Sequence, residues 1–285
     1  LSGSGNVLTY NSTALSTLYI VATPIGNLGD LSARASEELR RVPVVAAEDT
    51  RVTRKLLSHL GASPRLISYH EDSPASHLEA VLAALEAGDV ALTTDAGTPG
   101  LSDPGAALVR EAAARGHAVV PLPGPSAVTA LLSVSGLAAS RFLFLGFLPR
   151  SGADRRRVLR DAALETGTVV FFEAPHRLTD ALEDVAAVFG DRTLVAGREL
   201  TKLHEEVFRG TAATARAHFT GPRGEFVIAV EGAPEQAEEI ADAGIEAAIA
   251  RLKASGLGGR TLVDRAAAET GAPRSRVYRL FLRGQ

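Results

Sequence analysis

Three apolar runs in the first half of the chain each end in a Gly/Pro-rich turn. Leu18–Ala22 enters Thr23-Pro24-Ile25-Gly26-Asn27, Val90–Thr94 enters Asp95-Ala96-Gly97-Thr98-Pro99-Gly100, and Ala118–Val120 enters Pro121-Leu122-Pro123-Gly124-Pro125-Ser126. Short apolar runs bounded by such turns read as buried strands. In an open α/β sheet, ligands lie at the carboxyl ends of the strands. The three loops therefore predict one small-molecule site, lined largely by backbone.

The order of elements agrees. Strands are expected at Leu18–Ala22, Val42–Ala47, Arg65–Tyr69, Val90–Thr94 and Ala118–Leu122, with helical patterns between them at Leu31–Arg41, Val52–Leu60, Ala75–Ala87 and Pro104–Arg115. That alternation is the mark of a parallel α/β sheet. A further helix is expected over Ser126–Ser135, with Ser126 near its start, where free backbone N–H groups gather.

Near Arg141 the character changes. Strands are expected at Phe142–Phe147, Thr168–Glu173, Thr193–Gly197, Glu205–Gly210 and Glu225–Val230, and helices at Pro175–Phe189 and Ala212–Phe219. Connections are shorter here, which favours antiparallel pairing. An arginine cluster (Arg150, Arg155, Arg156, Arg157, Arg160) follows the first of these strands. The fold class is thus α/β in two domains: an N-terminal α/β domain with a parallel sheet over 18–140 and a C-terminal α+β domain with a mixed sheet over 141–233. Residues 240–285 then read as three helices, broken at Leu252–Gly259 and turned at Gly271-Ala272-Pro273, a basic helix-turn-helix-like segment.

Composition narrows the chemistry. The 285 residues include no cysteine, which excludes disulfides and thiolate catalysis, and the seven histidines are scattered, so no metal site is expected. No apolar run is long enough to span a bilayer. Residues 1–17 are polar, with neither a basic start nor an apolar core, and read as a disordered leader. The chain has no methionine, so its natural start is expected to be missing or altered. Net charge is −3 but uneven: residues 251–285 hold eight basic and two acidic groups, net +6, against 22 and 31 elsewhere, net −9. A basic tail on an acidic body suits an anionic macromolecule, and equally a solvated helical face.

Three polar clusters stand at strand ends. Ala46-Ala47-Glu48-Asp49-Thr50-Arg51, with Lys55 one turn on, either starts a helix, where acids are favourable, or supplies acid/base groups. His70, with Glu71 and Asp72, ends the next strand. In Phe171-Phe172-Glu173-Ala174-Pro175-His176-Arg177-Leu178, Pro175 can start a helix, and His176 and Arg177 either pair there or face the cleft between domains. G-x-G-x-x-G, the phosphate-binding lysine loop and G-x-S-x-G are all absent.

With these motifs the chain resembles the tetrapyrrole-methylase superfamily of S-adenosylmethionine-dependent methyltransferases. The carrying segments are Val21–Leu28, Ala46–Arg51, Asp95–Pro104, Leu122–Ala127 and Glu173–Leu178, in that order, and the likeness extends over about residues 18–285. Within the superfamily it is greatest to the small-subunit ribosomal RNA methyltransferase I group. The resemblance implies two domains with the cofactor in their cleft, a homodimer, and 2′-O-methylation of a decoding-centre cytidine in 16S rRNA or the small ribosomal subunit; the cysteine-free composition fits a reducing cytoplasm, so a cytoplasmic location is expected. Pro24, Asp95, Thr98, Ser126 and Ala127 match positions that contact S-adenosylmethionine, and Phe172 matches more weakly. One departure is local: where the group continues His-Asn-Glu after Glu71, this chain has Asp72-Ser73-Pro74.

A ribose 2′-hydroxyl is a poor nucleophile and is helped by a base. Candidates are Glu48, Asp49, Lys55 and His70. Arg51, Arg177, Arg155, Arg156, Arg274 and Arg276 are expected at RNA phosphates. A tetrapyrrole methyltransferase shares the fold and cofactor and stays open as an alternative, as does a catalytically inactive RNA-binding protein.

Overall fold

The structure, a computed structural model, describes residues 15–70, 73–234, 242–272 and 274–283. The chain divides into two compact units, one ending at Gly232 and one running from Ala233.

The first unit opens with the alternation read from sequence: β1 (Thr17–Val21), α1 (Ala33–Arg41), β2 (Val44–Ala47), α2 (Thr50–Leu60), β3 (Arg65–Ser68), α3 (Ala75–Ala87), β4 (Val90–Thr93), α4 (Ala106–Ala114), β5 (Ala118–Leu122) and α5 (Ala127–Ser135). The five strands form one parallel sheet in the order β3-β2-β4-β1-β5. Both faces are covered, which explains the continuous apolar strands. Leu39, Leu56 and Leu57 of α1 and α2 pack on one face, and Val81, Leu82, Leu85 and Leu108 of α3 and α4 on the other. Inserting β4 between β2 and β1 reverses the strand order there, which opens a crevice at the carboxyl ends of β4 and β1.

A second sheet follows, built from β6 (Phe142–Phe147), α6 (Gly152–Ala162), β7 (Thr168–Glu173), α7 (Leu178–Phe189), β8 (Leu194–Arg198), β9 (Glu206–Gly210), α8 (Ala212–His218) and β10 (Phe226–Val230). Its order is β6-β7-β10-β8-β9; β6 and β7 run parallel and the other pairs antiparallel. Period-2 alternation divides β7 between two cores. Val169 and Phe171 pack under α6, α7 and α8, whereas Val170 and Phe172 face Val128, Leu131 and Leu132 of α5. Helix α5 thereby lies over the second sheet, and the two sheets belong to one unit.

The second unit holds α9 (Asp242–Ala254), α10 (Gly259–Thr270) and α11 (Arg274–Arg283), closed by Ile245, Leu262, Val277 and Leu280. Among the described residues no helix is long and apolar enough to cross a membrane.

Several boundaries differ from the sequence reading. Of the expected leader, 1–14 lie outside the described residues. Ser16, by contrast, is buried against His117 at 2.8 Å, and Thr17 opens β1. Helix α6 occupies the arginine-rich stretch, for which the sequence suggests a charge cluster and no helix; Arg155, Leu159 and Ala162 form its buried stripe. The segment from Pro175 starts as a short 3-10 turn, Pro175–Arg177, before α7. Helix α9 runs to Ala254, so the break expected from Leu252 is shorter. Glu71, Asp72 and Pro273 lie outside the described residues.

Candidate functional site

The strand-end loops of the first sheet are tied to one another through backbone. Thr23 and Gly97 exchange hydrogen bonds, Thr23 N to Gly97 O at 2.8 Å and Gly97 N to Thr23 O at 3.0 Å, and Thr23 Oγ1 donates to Thr94 O. Gly97 sits at φ 83°, a conformation costly for residues with a side chain. Two carboxylates tie β2 to β4: Glu48 Oε2 accepts from Asp95 N at 3.1 Å, and Asp95 Oδ1 accepts from Asp49 N at 3.0 Å.

Above these loops lies a cavity of about 410 Å³, within the range of small-molecule sites. Its first wall comes from the loops after β2, β4 and β5: Glu48, the Asp95–Thr98 turn, Leu101–Asp103 and Ser126–Val128. The second wall comes from the second sheet, with Phe144, Phe147, Phe172, Leu200 and Val227 as its apolar face. Phe144 and Phe147 pack edge-on or tilted against Phe172, with ring centroids 5.1 and 5.4 Å away. Five carboxyl residues line the cavity (Glu48, Asp95, Asp103, Glu173, Glu225), and among the described residues no lysine, arginine or histidine does.

The carboxyls differ electrostatically. Burial raises Glu48, and the Asp95 N–H that it accepts works against that. Burial also raises Asp95, opposed by the Asp49 N–H. Burial and the neighbouring Glu48 carboxylate push Asp103 up to about 7. Glu173 is raised by burial; its Oε1 accepts from Ala174 N and pairs with Arg177 at 3.2 Å.

Of the residues expected at the cofactor, Asp95, Thr98, Ser126, Ala127 and Phe172 line the cavity; Pro24 does not, although Ile25 beside it does. Ser126 precedes α5 without making a side-chain cap, so that role does not occupy its hydroxyl.

The acid/base candidates separate. Glu48 lines the cavity. Asp49 caps α2 through Arg51 N at 2.7 Å and binds the Arg51 guanidinium at 2.6 Å, which holds its carboxyl at about 2. It is therefore engaged in starting the helix. Lys55 is exposed on α2, and His70 is half-buried beyond β3 with its ring 6.3 Å from His77; neither lines the cavity.

The expected phosphate-binding arginines also separate. Arg155 is only 7% exposed and donates to Asp184 at 2.6 Å, so it is removed from the RNA-facing set. A cationic helix stripe cannot be told from a buried ion pair without knowing its partner, which here is 29 residues away. Arg177 is likewise committed, donating to Leu148 O and Pro149 O beside Glu173. Arg51 and Arg156 remain exposed, paired with Asp49 and Asp184. In the second unit, Arg274 pairs with Asp264, and Arg276 with Asp242 at 2.9 Å.

Sequence reasoning missed Asp103, although the quoted Asp95–Pro104 motif contains it. It also missed the apolar second wall; alternation marks two faces of a strand without saying which one meets the first sheet.

Residues 17–216 match the tetrapyrrole (corrin/porphyrin) methylase family. Among curated proteins, the ribosomal RNA small subunit methyltransferase I of Synechocystis is 44% identical over 93% of this chain and 97% of its own length. That of Xylella fastidiosa (strain Temecula1) is 46% identical over 92% and 97%. Among solved structures, a cobalt precorrin-4 methyltransferase superposes with a TM-score of 0.57 at 17% identity, over 79% of this chain and 98% of that one. A uroporphyrin-III C-methyltransferase from Thermus thermophilus, complexed with S-adenosylhomocysteine, gives 0.54 at 18%, over 76% and 97%. These two likenesses concern the fold alone. With the family matched from β1 into α8 and relatives above 40% identity along nearly the whole length, the chain belongs to the tetrapyrrole methylases and, within them, to the ribosomal RNA small subunit methyltransferase I family.

Proposed function

We propose that the protein transfers a methyl group from S-adenosylmethionine to the ribose 2′-hydroxyl of a decoding-centre cytidine in 16S rRNA. The observation that carries this reading is the cavity: carboxyls on its walls, no cationic side chain lining it among the described residues, and an aromatic face opposite. That lining fits the cofactor, whose sulfonium is stabilised by nearby negative charge and whose adenine suits an apolar, aromatic wall. Asp95, Thr98, Ser126, Ala127 and Phe172 would hold it. When bound, it supplies an electrophilic methyl group, so the protein's own contribution is orientation, exclusion of water and handling of the hydroxyl proton.

The chain's residues divide that work. Glu48 and Asp95 hold the β2 and β4 loops in register through backbone N–H groups. Arg177 clamps the Leu148–Pro149 turn to the end of β7. The exposed guanidinium groups of Arg51 and Arg156 in the first unit and Arg274 in the second, with the half-buried Arg276 beside it in sequence, are proposed to meet phosphates, each exchanging its present carboxylate for one. The reading includes a cytoplasmic homodimer, the dimer supported by the family resemblance and the compartment by the cysteine-free composition.

The test is label transfer from tritiated S-adenosylmethionine to small ribosomal subunits that lack the modification, with naked rRNA and a tetrapyrrole alongside. Label mapping to one 2′-O-methylcytidine is expected; label only in the macrocycle overturns the reading. Ending the chain at Gly232, between the two compact units, should weaken RNA binding and flatten its salt dependence while leaving cofactor affinity intact.

A further inference from the structure

We propose that Asp103 takes the proton from the hydroxyl being methylated. The inference rests on the methyl-transfer reading and assigns its proton acceptor. The three carboxyls on the cavity's first wall are not equivalent. Glu48 and Asp95 already accept hydrogen bonds from backbone N–H groups and serve as ties between strand ends. No backbone N–H is bonded to the Asp103 carboxyl among the described residues, and the buried Thr94 hydroxyl beside it favours the ionised form without making a well-formed hydrogen bond. Asp103 is therefore the first-wall carboxyl that no backbone tie between strand ends holds, among the described residues.

Its loop is held in place. Ser102, immediately before it, sits at φ 63°, an uncommon conformation for a residue with a side chain. Gly146 of β6 comes so close that a Cβ there would lie 2.7 Å from Ser102 Oγ. Strand β6 thus comes close to the turn that carries Asp103, and sparsely populated backbone such as that of Ser102 concentrates at functional sites.

Among the described residues, the charged groups that act on Asp103 or share its cavity are acidic: Glu48 beyond β2 and Asp95 beyond β4, with Glu173 and Glu225 on the cavity's other wall. Burial, with Glu48 and Asp95, places its titration at about 7, where a base is both ionised and proton-hungry. The step balances. The hydroxyl oxygen forms the new O–C bond, the O–H pair remains on that oxygen, and the proton passes to Asp103. The C–S bond of the sulfonium donor breaks, with its electron pair retained by sulfur.

The experiment is single-turnover methylation of small ribosomal subunits from about pH 5.5 to 9 by wild type, Asp103→Asn and Glu48→Gln. The wild-type rate should rise about tenfold per pH unit below about 7 and level off above it. Asp103→Asn should lose about 10²–10⁴-fold and the inflection with it, while calorimetric cofactor affinity stays within about threefold. Glu48→Gln should keep an inflection but move it to lower pH, because the Glu48 charge that raises Asp103 is gone. A second readout needs no turnover. Because the folded-state value lies above the ordinary 3.8, the carboxyl's contribution to stability is full below about 4 and is lost as pH rises through about 7. The melting temperature of Asp103→Asn should therefore gain on wild type between pH 5 and 8.

A flat wild-type profile, an inflection that survives in Asp103→Asn, or a melting difference independent of pH overturns the assignment. Wild type that leaves rRNA unlabelled overturns the functional reading instead.

Discussion

The two sheets of the first unit meet at one cavity and bring different things to it. The parallel sheet contributes strand-end loops, with carboxyls and backbone polar groups, and its helices cover both faces. The mixed sheet contributes an aromatic and aliphatic face together with Glu173 and Glu225, and several of its charges are paired within it: Arg155 with Asp184, Arg177 with Glu173, and Lys202 with Glu199 and Glu225. The difference teaches where chemistry and stability reside. Loops at parallel strand ends can carry reactive groups because the doubly covered sheet behind them does not depend on them. The second sheet acts as a wall, and its polar residues mainly hold it together.

The sharpest test of this division is in the second core. Phe171 is fully buried beneath α6, α7 and α8. Phe171→Ala should cost about 3–5 kcal/mol in urea unfolding, and a cost under about 1 kcal/mol would show that this sheet is not packed as a core. Asp184→Ala should cost a similar 3–5 kcal/mol, because it strands the buried Arg155. The double change Arg155→Leu, Asp184→Leu should recover most of that loss. If the single change is mild, Arg155 has an escape to solvent and its place among the phosphate ligands reopens. Phe172→Ala, one residue along β7 and on the opposite face, should act on function more than on folding. Losing the ring that Phe144 and Phe147 pack on should weaken cofactor binding by about tenfold, read by calorimetry.

The parallel half was legible in the sequence because local signals coincide there. Apolar runs stop at Gly/Pro turns, and the expected bounds of α3 and β5 match the structure at both ends. The loops carried most of the cavity's first wall as well, since a strand-end position in a parallel sheet already implies the ligand side. What stayed hidden depends on long-range pairing. Arg155 lies on a helical stripe with Leu159 and Ala162, yet its charge alone points to a surface, and only the fold brings Asp184 to it. Phe144, Leu200 and Val227 look like core residues, and only the docking of α5 on the second sheet turns their face toward the cavity. Asp103 had a local signal, being eight residues beyond Asp95 in the same Gly/Pro-rich loop, but its electrostatic environment comes from a different strand end.

The smallest expected effects test whether stability in either half is coupled to the cavity. Ser32 caps α1 by accepting from Ala35 N at 3.2 Å, next to the loop that follows β1. Thr211 caps α8 by accepting from Thr214 N at 3.3 Å, while Thr214 Oγ1 accepts from Thr211 N at 2.8 Å. Ser32→Ala and Thr211→Ala should each cost about 1 kcal/mol, because each leaves a helix-start N–H without its partner. Neither helix start lines the cavity, so neither change should move cofactor affinity. A drop of more than about threefold in Ser32→Ala alone would show that α1 anchors the β1 loop as well as covering the sheet. The same drop in Thr211→Ala would blur the division, because α8 touches the cavity only through the sheet it covers.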